Sequence, residues 1–247
     1  MALGLLKYHL LALWREPINL FFGFGLPILL LIMMPESDEG VNMVKMALPM
    51  IIMITATVLC FTDSALSHAY ARQIKFLRRL RMTPVSSEQY IAMGMLSRYM
   101  VLTVFSTVII GASAIFADVN IAVTNLLLFA AMLSLVFIMF YLMAMFTSNV
   151  LKNAKSSQGL IFVVFFGMLA LGGMWFPVAN MPEFLQRIAR LMPTWFGGRL
   201  LEIAWQGGYF AEGALHSATV FSGHYFFAVL GTAAVFGLLS VKFFKFE

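Results

Sequence analysis

Apolar positions in this chain fall in long unbroken runs, with polar residues gathered into short intervals between them. A bilayer's hydrocarbon core is about 30 Å thick and a helix rises about 1.5 Å per residue, so a span needs about 20 apolar residues. Six segments approach that length: Ile18 to Met34, Met46 to Leu66, Ile91 to Ala117, Ile121 to Thr147, Gln158 to Trp175 and Ala218 to Val241. The runs are continuous rather than alternating, which favours helices over a barrel, and backbone groups in lipid must be satisfied within the segment. Gly23 and Pro27 mark a kink in the first span, not a break. Ahead of it, residues 1 to 16 carry Lys7, Arg15 and Glu16 among leucines without a cleavage site. An interfacial helix is predicted there, not a removable signal peptide.

Two polar intervals carry more pattern than the rest. The first, Arg72 to Tyr90, holds Arg72, Lys75, Arg78, Arg79 and Arg81. A helix over Arg72 to Met82 would carry a narrow apolar stripe flanked by basic groups. Pro84 would end it by pushing Thr83 out of the helical region, and Ser86 would cap the next helix, so the prediction is an elbow. The second interval, Phe176 to Tyr209, combines Pro177, Pro182 and Pro193 with apolar positions at Phe184, Leu185, Ile188, Leu191 and Met192. That spacing predicts a short helix resting at, or dipping into, the outer membrane surface.

Composition sets the class. Of 247 residues 62% are hydrophobic and 11% charged, with mean hydropathy +0.92, so the apolar surface cannot be hidden inside a water-soluble globule. The chain is expected to be an all-α integral membrane protein, one transmembrane domain over residues 1–247. Six spans put both termini on one side, together with Lys7, Arg15, Arg72, Lys75, Arg78, Arg79, Arg81, Arg98, Lys152, Lys155, Lys242 and Lys245; Lys45, Arg187, Arg190 and Arg199 remain opposite. Twelve against four is a positive-inside bias, which places the termini, the Arg72 interval and the Asn149 to Ser157 loop in the cytoplasm. The net charge of +5 therefore calls for no nucleic-acid partner. Trp14, Trp175, Trp195 and Trp205 read as interfacial anchors.

Little catalytic chemistry is visible. There is no GxxxxGK[ST] phosphate loop, HExxH pair or GxSxG elbow. The single Cys60 excludes an internal disulfide and a cysteine-based zinc cluster, and the four histidines are dispersed, so no metal is expected. Asp63 and Arg98 are the two charges nearest to span interiors. Both lie close to predicted cytoplasmic ends, where they could pair across neighbouring spans in a structural role. The third and fourth spans contain no acid, which counts against a proton-coupled carrier.

The run Leu77-Arg78-Arg79-Leu80-Arg81-Met82-Thr83-Pro84-Val85-Ser86 resembles the L-K-R-L-R-x-T-P-V/L-S signature of the type 2 ABC (ATP-binding-cassette) exporter permeases. Downstream, Gly173-Met174-Trp175-Phe176-Pro177, Met181-Pro182, Leu185, Ile188, Ala189 and Pro193 are similar to that family's G-x-x-F-P-x-x-x-[LM]-P-x-x-L-x-x-I-A-x-x-x-P segment. Family members often have an acid after the first Arg of the coupling region; here Gln73 stands in its place.

The resemblance implies a transmembrane subunit, itself not an enzyme, in a bacterial or archaeal plasma or inner membrane. Arg72, Lys75, Arg78, Arg79, Arg81, Thr83, Pro84 and Ser86 would form the ATPase-coupling region, and Gly173, Phe176, Pro177, Pro182 and Pro193 an outer re-entrant segment. The implied partners are a nucleotide-binding subunit, which would use ATP and Mg, and a second permease copy, identical or similar. Nineteen Met and twenty-five Phe suit a hydrophobic or amphiphilic cargo such as a drug, antibiotic or lipid-like molecule, as in multidrug efflux and antibiotic resistance. Polysaccharide or glycolipid export is the alternative reading, followed by a stand-alone secondary carrier.

Overall fold

The computed structural model describes residues 2–14, 21–33, 43–76, 87–116, 122–150, 154–174, 178, 181–211, 214–217, 219–220 and 224–243. Helix α1 spans Ala2–Trp14. A π-helical turn, Phe21–Gly25, leads into α2, Leu26–Ile32. Next comes α3, Met43–Val58, a π-helical segment, Leu59–Ala65, and α4, Leu66–Gln73. These three make one rod, longer at its C-terminal end than the predicted Met46 to Leu66. Helices α5, Ser87–Phe116, α6, Val123–Val150, and α7, Ala154–Leu171, follow. Two shorter helices, α8, Glu183–Ala189, and α9, Pro193–Gln206, precede an antiparallel hairpin. Its strands, β1, Gly208–Ala211, and β2, Ala214–Ser217, pair Gly208 with Ser217, and α10, His224–Phe243, ends the described chain.

Among the described residues, three helices are long and apolar enough to cross a membrane: Val44–Gln73, Gln89–Ile115 and Val123–Val150. Phe21–Ile32, Lys155–Leu171 and His224–Ser240 are shorter apolar helices. Hydroxyl groups inside these helices mostly turn back onto their own backbone. Thr57 donates to the Met53 carbonyl, Thr62 to Val58, Thr107 to Thr103 and Ser113 to Ile109, each at 2.8 Å. In an apolar medium this satisfies each hydroxyl without a partner helix.

Helix α6 is the central mast, packed against α10, α9, the π segment and α7. Phe129, Val136, Phe137, Phe140 and Ala144 on it are buried. Tyr99 on α5 reaches Ser134 at 2.6 Å, and Ser240 on α10 donates to the Leu142 carbonyl at 2.8 Å. Large apolar side chains also face outward, including Val104, Val108 and Ile115 on α5, Leu127 on α6 and Leu238 on α10. Such continuous apolar faces suit lipid or another apolar surface, not water.

Three expectations change. The interval after the predicted fifth span holds two helices, and the buried one is α9. In α8, Phe184 is 71% exposed, and Leu191 just beyond it is 77% exposed, whereas α9 sinks Thr194, Leu200, Leu201 and Ile203 against α3, α6 and α10. Glu183–Ala189 is thus a short surface helix, as the spacing predicts, and the buried α9 is the unanticipated element. Trp205, expected as an interfacial anchor, is 1% exposed and stacks edge-on to Phe129. Its indole N–H donates to the Lys45 carbonyl at 2.8 Å. Pro49, inside α3, lacks the amide that would bond that same carbonyl four residues back, so Trp205 supplies the bond Pro49 cannot. The hairpin at 208–217 was not anticipated; its short strands lie next to a span-length run and carry no long alternation.

Candidate functional site

The basic connection between the first two membrane-length helices, Val44–Gln73 and Gln89–Ile115, begins with an anchored residue. The prediction started a new helix at Arg72, but α4 continues through Gln73 and stops at Ile74, whose amide bonds the Tyr70 carbonyl at 3.1 Å. Lys75 then takes a left-handed φ of 56°, a conformation uncommon for a residue with a side chain, in the turn that ends α4. Arg72 is half-buried and donates to the Ser148 carbonyl in the last turn of α6. A cation there meets carbonyls that have no helical partner, at the negative end of the helix dipole. Lys75 and Gln73 are exposed, and the Phe76 and Tyr90 rings meet with centroids 6.3 Å apart. Arg78, Arg79, Arg81, Thr83, Pro84 and Ser86 lie outside the described residues.

Above this connection sits a buried polar cluster. Arg98 on α5 and Asp63 in the π segment are 2% and 1% exposed and form an ion pair at 2.6 Å, as their positions in the sequence had hinted. Arg98 also donates to the Gly94 carbonyl at 3.2 Å and to His9 Nδ1 on α1 at 3.0 Å. Because a guanidinium only donates, His9 is the acceptor and carries its proton on Nε2. Burial, and then the charge of Arg98, push the His9 pKa down to about 4, so its ring is neutral at pH 7. The Tyr141 hydroxyl on α6 donates to the Ile91 carbonyl at 3.1 Å, and His68 Nε2 lies 3.3 Å from Asn149 Oδ1. A cavity with room for about one water molecule lies between His9, Ser64, His68, Tyr90, Arg98 and Tyr141.

His9 and Tyr141 were missed as members of this cluster. Nothing in the sequence pairs a histidine in the first helix with an arginine 89 residues later. Their one shared signal is polarity within an apolar surrounding. Among the described residues no group of His, Cys, Asp and Glu has metal-binding geometry. Cys60 is buried, with Sγ 3.9 Å from the Phe137 carbonyl.

At the opposite end of the bundle, Gly173 has φ +79° beyond α7, a conformation glycine adopts at no steric cost. Neighbouring Gly172 lies so close to Thr194 that an added Cβ would overlap the threonine hydroxyl. Pro182 flanks the start of α8, and Pro193 opens α9, where its missing amide costs nothing. Phe176 and Pro177 lie outside the described residues. Thus Gly172 and Gly173 join the end of α7 to the start of α9, and Pro193 belongs to the same joint. The guanidinium of Arg199 stacks over Trp195 at 4.5 Å and pairs with Glu202 at 2.7 Å.

No curated protein matches the chain. The family model described as ABC-2 type transporter matches residues 3–204, from α1 into α9, and so takes in both the buried cluster and the α7–α9 joint. That family comprises membrane permeases that work with an ATPase subunit and have no nucleotide-binding domain of their own. With membrane-length apolar helices and a match across most of its length, the chain belongs to the ABC-2 type transporter family.

Proposed function

We propose that this permease exports a hydrophobic or amphiphilic compound, such as a drug, an antibiotic or a lipid-like molecule, from a bacterial or archaeal cell. Separate nucleotide-binding subunits supply the energy from ATP, and two permease copies, identical or similar, enclose the path. The observation that carries the reading is the basic connection between two membrane-length helices in a chain of this family. In this reading six spans cross the membrane, both termini are cytoplasmic, and the connection lies beneath the bilayer. Arg78, Arg79 and Arg81 meet the ATPase, with Thr83, Pro84 and Ser86 shaping the bend. Exposed Lys75 adds charge, and Arg72 fixes the base of the connection to α6.

Nucleotide closes the ATPase pair and displaces the connection, which tilts α3–α4 and α5 between inward-facing and outward-facing arrangements. The drive is the difference in nucleotide affinity between those arrangements. The α7–α9 joint, with Gly173, Pro182 and Pro193, closes the outer end. An apolar cargo agrees with a core of Phe, Met, Leu and Ile side chains.

Affinity capture of the tagged chain from mild detergent tests the reading. A soluble ATPase carrying a phosphate loop is expected to co-elute, and the triple variant R78E/R79E/R81E is expected to lose it while remaining in the membrane. Flux of a fluorescent hydrophobic dye through the purified chain alone, driven by an ion gradient, would identify a secondary carrier instead.

A further inference from the structure

We propose that the buried Asp63–Arg98 pair, joined by His9, is a cross-brace that makes the two arms of the basic connection move as one rigid lever. The inference rests on the coupling role proposed above and deepens it by naming positioning residues.

The geometry is that of a closed triangle. Asp63 lies ten residues before Gln73, where one arm ends, and Arg98 lies eleven residues after Ser87, where the other begins. At about 1.5 Å per residue the ion pair ties the arms about 15 Å above the connection on both sides. At the base, Ala71, Phe76, Tyr90 and Ile91 form a small apolar cluster of their own. Between base and brace, α4 packs mainly on α7, the π segment and α6 rather than on α5. The brace is therefore a buried polar tie between the two arms, beside the ring contact of His68 on α4 with Tyr90 on α5, centroids 6.4 Å apart. His9 extends it to α1, which lies along α5.

Two further observations favour a mechanical role. A buried ion pair is a weak source of net stability, since desolvation offsets most of its attraction and an apolar pair of similar volume does as well or better. What it supplies is a fixed distance and direction. Asp63 also stands within the π-helical segment, and such segments interrupt the regular ladder of a helix and often sit at functional sites. The rod is thus irregular where the brace grips it, so bending is confined to the level of Leu59–Ala65 while α4 below stays in register with α5.

The test uses the permease with its ATPase in lipid nanodiscs, in a Cys60→Ala background. Spin labels at Tyr70→Cys and Met100→Cys report the separation of the arms, with labelled chain diluted by unlabelled chain. Both sites are exposed. The braced protein is expected to show one narrow distance that is the same without nucleotide and with ADP and vanadate. The pair replacement Asp63→Leu/Arg98→Met is expected to keep the unfolding temperature but lose the single distance, which broadens and becomes nucleotide-dependent. His9→Phe is expected to broaden it partly, and His9→Gln, which retains an acceptor, to restore it. This second series decides the matter if the pair replacement does not fold. A wild-type distance that changes with nucleotide overturns the brace, as does an unchanged narrow distance in a folded pair replacement or in His9→Phe. Failure of the coupling reading looks different: no ATPase accompanies the chain, while the nucleotide-free distances still report on the brace.

Discussion

Pro49 and Trp205 compensate each other across 156 residues of sequence: the proline withholds an amide from the Lys45 carbonyl, and the indole N–H takes its place. Trp205→Phe is expected to cost about 1–3 kcal/mol, the usual penalty for a buried group deprived of a partner. Adding Pro49→Ala, which restores an amide to that carbonyl, should recover much of the loss, and a double-mutant cycle on thermal unfolding in detergent measures the coupling. His9 gives a pH signature. Its folded pKa of about 4 lies below the ordinary 6.5, so the folded state resists a proton that the unfolded chain accepts. Stability is complete above about pH 6.5 and falls toward pH 4. His9→Gln should flatten that part of the profile relative to wild type, as read by unfolding temperature against pH. At Lys75 the left-handed backbone costs a side-chain-bearing residue about 1 kcal/mol. Lys75→Gly should therefore stabilise the turn, as a rise in unfolding temperature.

Between elements, the contact of α7 with α9 is the most demanding. Gly172→Ala would drive a methyl into the Thr194 hydroxyl, forcing the start of α9 outward, with an expected cost of about 1–3 kcal/mol. Thr194→Ala should not repair it fully, because the threonine Cβ itself crowds the site. Limited proteolysis near the α8–α9 turn would report the displacement. The rod α3–α4 shows a different device: its π segment carries Asp63 and Cys60 toward other helices without breaking the run of buried residues.

For the molecule as a whole, the outward apolar faces set the strictest condition. Val104 and Val108 lie midway along α5 and are exposed, so an arginine at either would have to be held in lipid or against another apolar surface. Val104→Arg is expected to cost about 2.5–3.5 kcal/mol of insertion free energy, measured by the membrane-inserted fraction in a translocation assay. The same change at exposed Gln73, near a helix end, should be nearly neutral, because an arginine there can reach water.

Length and composition alone determined that this chain is a helical membrane protein, because continuous apolar runs of span length have no other stable solution in lipid. The pairing of Asp63 with Arg98 was also legible, since two opposite charges at matching depths in apolar helices seek each other. Helices apolar on every side carry no periodic signal of which face meets which neighbour. Hence only the tertiary structure decided that Trp205 is a core residue answering Pro49, that a second, buried helix follows at 193–206, and that His9 and Tyr141 join the charge cluster. The turn at Ile74–Lys75 belongs to the same group: Arg72, in the last turn of α4, reaches the end of α6, a partner 76 residues away that no local pattern announces.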